Sequence, residues 1–152
     1  MEQTLVIVKP DAVARGLIGE IIRRWESKGL LIRGLKMVAL DQRRAEGFYA
    51  VHRHQPFFQS LTRFMASGPC VAMVLEGEGA IQQVRQVMGA TDPSKAAEGT
   101  LRRTFATSIE QNVVHGSDSA ESAAFEIPYF FSRLEIFSPA GRGVRAQSGP
   151  GD

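Results

Sequence analysis

The chain has 152 residues, 43% hydrophobic and 22% charged, which excludes a disordered or fibrous protein and fits one domain with its own core. Its longest apolar runs, Thr4–Val8 and Val71–Leu75, are strand-sized, well below the about 20 residues of a membrane helix. Eighteen basic against sixteen acidic residues leave a net charge of only +2, so the charge balance by itself does not point to a nucleic-acid binder.

The amino terminus has no basic region ahead of an apolar stretch, and a single cysteine, Cys70, cannot form an internal disulfide. A soluble, cytoplasmic protein without a membrane partner is therefore expected. Only four of the eighteen basic residues are lysine. Arginine suits bidentate recognition of phosphate or carboxylate, although an arginine-rich genome gives the same bias, so position has to decide.

Thr4–Val8 reads as a strand buried on both faces, ended by Lys9-Pro10-Asp11. Asp11 is a good N-cap for one helix carrying Val13, Leu17, Ile18, Ile21, Ile22 and Trp25 at helical spacing, with Gly29 as its stop. Leu30–Leu40 is apolar enough for a second strand, although Arg33 and Lys36 break its alternation. Residues 43–51 and 57–66 read as two short helices, and Pro69–Leu75 as the clearest strand. A helix over Gly79–Met88 precedes a long connection from Gly89 to Gln111, of the length that is usually functional or mobile. Asn112–His115 is a short fourth strand, and Asp118-Ser119-Ala120-Glu121 resembles a capping box opening a last helix through Glu126. Residues 138–152, with four glycines and two prolines, read as a flexible tail after a domain spanning 1–137. This order predicts an α+β fold, a ferredoxin-like four-stranded antiparallel sheet with helices on one face.

The usual chemical motifs are absent: no glycine-rich phosphate loop, no H-E-x-x-H or paired C-x-x-C, no G-x-S-x-G elbow. Of three histidines, His52 and His54 lie in a polar stretch and read as surface residues. His115 ends a strand before Gly116-Ser117-Asp118, bordered by hydroxyl and carboxylate groups. A neutral imidazole there is a competent nucleophile toward phosphorus. A buried histidine satisfied by hydrogen bonds suits the same position, and local sequence leaves both open. Lys9 at a strand end, Arg85 on the polar face of a helix and Arg102 in the long connection could neutralise a phosphoryl transition state if they converge.

Asn112-Val113-Val114-His115-Gly116-Ser117-Asp118-Ser119 resembles the N-x-x-H-G-S-D signature of the nucleoside diphosphate kinases. Six further blocks match in order: TLVIVKPD at Thr4–Asp11, RGLIGE at Arg15–Glu20, Pro56-Phe57-Phe58, Ser67-Gly68-Pro69, MGATDP at Met88–Pro93 and GTLR at Gly99–Arg102. The resemblance runs from about residue 3 to 137. It implies a ping-pong enzyme in which His115 takes the γ-phosphoryl group of a nucleoside triphosphate such as ATP and passes it to a nucleoside diphosphate. By the same resemblance Lys9, Arg85, Thr91 and Arg102 match positions that contact the phosphates. Phe57 matches the aromatic on which the base stacks, Asn112 the sugar contact, and Tyr49, Ser117 and Glu126 supporting positions around the histidine. Mg2+ is implied to arrive on the nucleotide's phosphates without a dedicated protein cage, and broad base specificity follows from stacking.

The resemblance further implies a homo-oligomer, a tetramer or hexamer built from dimers, with no specific nucleic-acid partner. Three places depart from the family pattern: Arg103 beside Arg102, the tail at 138–152, and Pro128, which is expected to end the last helix early. The alternative is a catalytically weak nucleotide- or nucleic-acid-binding module, since ferredoxin-like sheets bind RNA through aromatic residues on central strands. TLVIVKP and PCVAMVLE carry no aromatic residue, which argues against it.

Overall fold

An apolar run without alternation forms a strand only where both faces are covered, and β1 (Glu2–Val8) is such a strand. Leu5 and Ile7 pack into one hydrophobic cluster, while Val6 and Val8 enter another on the opposite face. The computed structural model describes residues 1–137. The tail expected over 138–152 lies outside the described residues.

β1 pairs antiparallel with β3 (Cys70–Gly77) and with β4 (Val114–Gly116), and β2 (Leu31–Val38) flanks β3, giving the order β2-β3-β1-β4. This is the α+β, ferredoxin-like sheet expected from the sequence. The expectation of helices on one face is corrected. Helices α1 (Pro10–Ala14), α2 (Ile18–Ser27), α5 (Ala80–Met88) and α6 (Leu101–Phe105) bury Ala12, Trp25, Val84 and Leu101 on one side. Helices α3 (Gln42–Phe48), α4 (Phe58–Met65) and α7 (Ala120–Phe130) bury Phe48, Met65 and Phe130 on the other. With both faces of the central strands covered, the sheet offers no open platform for stacked bases.

Several boundaries differ from the sequence reading, each for a local reason. The single helix after β1 is two, because Gly16 turns at φ +71° between α1 and α2. Asp11 is not the N-cap. Pro10 takes the first helical position behind Lys9, which frees the Asp11 carboxylate to accept from Val113 N at 3.3 Å. The connection from Gly89 to Gln111 contains a 3₁₀ turn (Pro93–Lys95) and α6, whose N-cap Thr100 accepts from Arg103 N. The capping box at α7 is Ser119 with Ser122, one residue later than expected. Pro128 lies inside α7 and does not end it early. Its ring removes one backbone donor, but burial of Phe130 and Phe131 and the bond from Phe131 N to Ile127 O (2.9 Å) carry the chain past it.

Candidate active site

His115 is the middle residue of the edge strand β4, opposite Ile7 of β1, so it lies on the α3 and α7 side of the sheet. Its side chain is 18% exposed, and Nε2 stands 2.8 Å from Oε1 of Glu126 in α7. The same oxygen accepts from the hydroxyl of Ser117 at 2.8 Å. Ser117 is fully buried, and its Oγ accepts from Leu5 N at 3.2 Å, which ties the arrangement to β1. An ionised carboxylate can only accept, so the proton of the neutral imidazole is on Nε2 and Nδ1 keeps its lone pair. Two rings stand edge-on to the imidazole: Phe48 at 5.3 Å and 71°, Tyr49 at 6.0 Å and 89°. Burial, reinforced by the Glu126 charge, pushes the Tyr49 phenol well above its usual range, so it stays a neutral O–H.

The residue that leads into β4 is strained. Val113 has φ +67°, a left-handed conformation that costs a β-branched residue about 1–3 kcal/mol. Two bonds hold it there: Lys9 N donates to Val113 O at 2.9 Å, and Val113 N donates to Asp11.

The cations meet the same strand. Arg102 is buried, donating through Nη1 to Gly89 O (3.1 Å) and through Nη2 to Val114 O (2.8 Å), while its Nε has no partner. Arg85, exposed on α5, reaches Gly116 O at 3.5 Å. The two guanidinium groups thus grip the carbonyls on either side of His115. Burial, and then the charge of Arg85, lowers the Arg102 pKa to about 10, where it still carries its proton at neutral pH. Lys9 is 5% exposed, and its Nζ donates to Asn112 Oδ1 at 2.7 Å. Burial foremost, and the Arg102 charge next, bring the Lys9 ammonium down to about 7. Asn112 Nδ2 donates in turn to Thr91 O at 3.2 Å. Phe57 stands apart at the start of α4, 45% exposed, with its ring 5.6 Å from that of His52. His52 is accordingly half-buried against that ring instead of being a plain surface residue, whereas His54 is exposed as expected.

A family model described as nucleoside diphosphate kinase matches residues 2–136. The nucleoside diphosphate kinase of Desulfosudis oleivorans is 64% identical over 136 residues, which cover 90% of this chain and 98% of that protein. The chain belongs to the nucleoside diphosphate kinase family. A crystal structure of the Aquifex aeolicus nucleoside diphosphate kinase has a TM-score of 0.87 at 49% identity, covering 89% of this chain and 98% of that one. The halophilic nucleoside diphosphate kinase of Halobacterium salinarum, solved in complex with CDP, has a TM-score of 0.87 at 44% identity, covering 94% of this chain and 97% of that one. The protein is accordingly a phosphotransferase that moves the γ-phosphoryl group of a nucleoside triphosphate to a nucleoside diphosphate. The family match favours this reading over the alternative of a catalytically weak binding module.

Nine of the ten residues singled out from the sequence join one network around β4, with Phe57 outside it. Sequence reasoning missed Asp11 as the anchor of Val113 and Phe48 as a wall of the imidazole. Asp11 carried a signal, since Pro10 at a first helical position argues against the following residue as N-cap. Phe48 carried none, because an aromatic residue at the end of an amphipathic helix reads as ordinary core.

Proposed function

We propose that His115 is the covalent phosphoryl acceptor and that Nδ1 is the atom that carries the phosphate. The observation that supports this is the bond between Nε2 and Glu126, which leaves Nδ1 as the ring's one free lone pair. In the first half-reaction Nδ1 forms a bond to the γ-phosphorus while the bond from that phosphorus to the β,γ-bridging oxygen breaks, releasing the nucleoside diphosphate. The positive charge that develops on the ring faces the Glu126 carboxylate. In the second half-reaction a β-phosphate oxygen of the acceptor displaces the phosphoryl group, and the N–P electron pair returns to Nδ1. Incubation with ATP labelled in the γ-phosphate tests this. An acid-labile, alkali-stable label on the protein is expected, and a stable phosphoester would overturn the reading.

Lys9, Arg85 and Arg102 are proposed to neutralise the transferring phosphates, with Thr91 beside them and Asn112 toward the sugar. Ser117 and Tyr49 support His115 and Glu126. Magnesium is proposed to arrive with the nucleotide as part of the substrate. The groups around β4 fit this division: Lys9, Arg85 and Arg102 are cations, which suit phosphate oxygens, and the carboxylate oxygen that meets His115, Glu126 Oε1, already accepts from two donors. Phe57 is proposed as the base platform, and the CDP held by the Halobacterium salinarum enzyme is a substrate of the class that such a platform would take. Stacking reads no base edge, so Phe57→Ala should weaken all nucleoside diphosphates alike, by about 1–3 kcal/mol in calorimetric titration. A loss confined to purines or to pyrimidines would exclude Phe57 as an unselective platform.

Residues 1–137 are proposed as the complete catalytic unit, since the family match ends at residue 136 and no assigned residue lies beyond Glu126. Truncation after Phe137 should leave turnover within about twofold, and a larger loss would mean the unit extends further. Assembly into dimers and higher oligomers is proposed on the edge strand β2, where Leu35 and Met37 are exposed by half or more. A cytoplasmic location is proposed from the nucleotide substrates. No helix among the described residues is long and apolar enough to cross a membrane.

A further inference from the structure

A single hydrogen bond at Nε2 leaves the plane of an imidazole underdetermined. The torsion about Cβ–Cγ is broad for an aromatic ring, and rotation about it swings Nδ1 out of line while the bond to Glu126 bends. The Nδ1 lone pair lies in the ring plane, so in-line attack on phosphorus depends on that plane being held. Glu126 gives distance, and something else has to give orientation.

We propose that Phe48 is a positioning residue for the phosphoryl transfer, setting the plane of the His115 imidazole. This rests on the reading of His115 as the nucleophile. The Phe48 ring is 3% exposed and meets the imidazole at 5.3 Å and 71°, a T-shaped contact that opposes rocking about Cβ–Cγ. Tyr49 closes the other approach at 89°. The wall is itself anchored. Phe48 packs on Tyr129 at 5.5 Å and on Phe130 at 5.1 Å, both on α7, the helix that supplies Glu126. The last turn of α3 is docked closely onto α7: the Tyr129 hydroxyl donates to Arg44 O at 2.7 Å and lies over Gly47, where a Cβ would stand 2.5 Å from it. Distance and orientation of the imidazole are therefore referred to one rigid element, α7.

Phe48→Leu keeps an apolar side chain and removes the ring, and Phe48→Met fills more of its volume without one. In whichever variant folds, the single-turnover rate of phosphohistidine formation should fall by about tenfold, less than the about 100-fold of a full 1 Å misplacement, with the Kd for ADP unchanged. Phe131→Leu is the control, because it opens the same buried cluster but its ring pairs with neither Phe48 nor His115. Phe131→Leu should destabilise similarly and phosphorylate at near the unaltered rate. In proton NMR, the His115 ring protons should lose the Phe48 ring-current shift and broaden in the Phe48 variants and not in Phe131→Leu. If the unaltered enzyme takes no label on His115, the reading of the nucleophile fails. If it labels normally and the Phe48 variants label equally fast, or Phe131→Leu slows as much as they do, Phe48 is only core and the inference alone falls.

Discussion

His115→Ala is expected to abolish both labelling of the protein by γ-labelled ATP and phosphoryl exchange between nucleotides, while the protein stays folded. The substitution removes the atom proposed to form the N–P bond, and no neighbour can replace it. Tyr49 is held neutral by burial, and Ser117 is buried with its hydroxyl donating to Glu126 and accepting from Leu5 N. The structural cost is small by comparison. His115 is partly exposed on an edge strand, and without it the Glu126 oxygen still accepts from Ser117. A loss of about 1.5–3 kcal/mol, the size of one hydrogen bond to a charged group, should leave the thermal transition cooperative. Phosphorus and nitrogen NMR of the labelled, unaltered protein should place the phosphate on Nδ1. Undiminished label in His115→Ala would move the acceptor elsewhere, and a phosphate on Nε2 would contradict the role given to Glu126.

The sheet was legible in the sequence because its signals are local. Thr4–Val8 and Val71–Leu75 are continuous apolar runs, and only strands covered on both faces read that way. That same fact contradicts a sheet with helices on one side, so the second layer could have been inferred from β1 alone. His115 was legible through its neighbours in the chain. What surrounds it is legible through resemblance in part and not at all for Asp11 and Phe48, since the groups around β4 are brought together by the fold: Asp11 meets Val113 across 102 positions and Lys9 meets Asn112 across 103. No periodicity carries such information. The α6 helix was hidden for a different reason. Five residues with two adjacent arginines show no apolar stripe, and its stability comes from the Thr100 cap and from burial of Leu101 and Arg102. Pro128 misled because the local rule is sound and tertiary packing overrode it.

Lys9 should give the second large effect, and its sign with pH is fixed by its burial. In the folded protein its pKa is about 7 against an ordinary 10.5. Below pH 7 the folded and unfolded chains both carry the charge, and folding bears the full cost of burying it. Between pH 7 and 10.5 the unfolded chain binds a proton that the folded chain does not, so stability rises with pH across that window. Lys9→Met should flatten this rise in denaturant titrations. A bound phosphate reverses the balance, because an anion beside Nζ favours the ammonium. ADP binding at pH 8 should therefore take up close to one proton, read as a dependence of the calorimetric heat on the buffer's ionisation enthalpy, and binding at pH 6 should take up none through this group. Lys9→Met should remove the uptake. It should also lower the rate of phosphohistidine formation by about 10²–10³-fold, the usual loss for one preorganised charge-stabilising donor, and by more than it lowers ADP affinity. Proton uptake that persists in Lys9→Met would assign the titration to another group. Equal losses in rate and affinity would mean that Lys9 holds the phosphate equally before and during transfer.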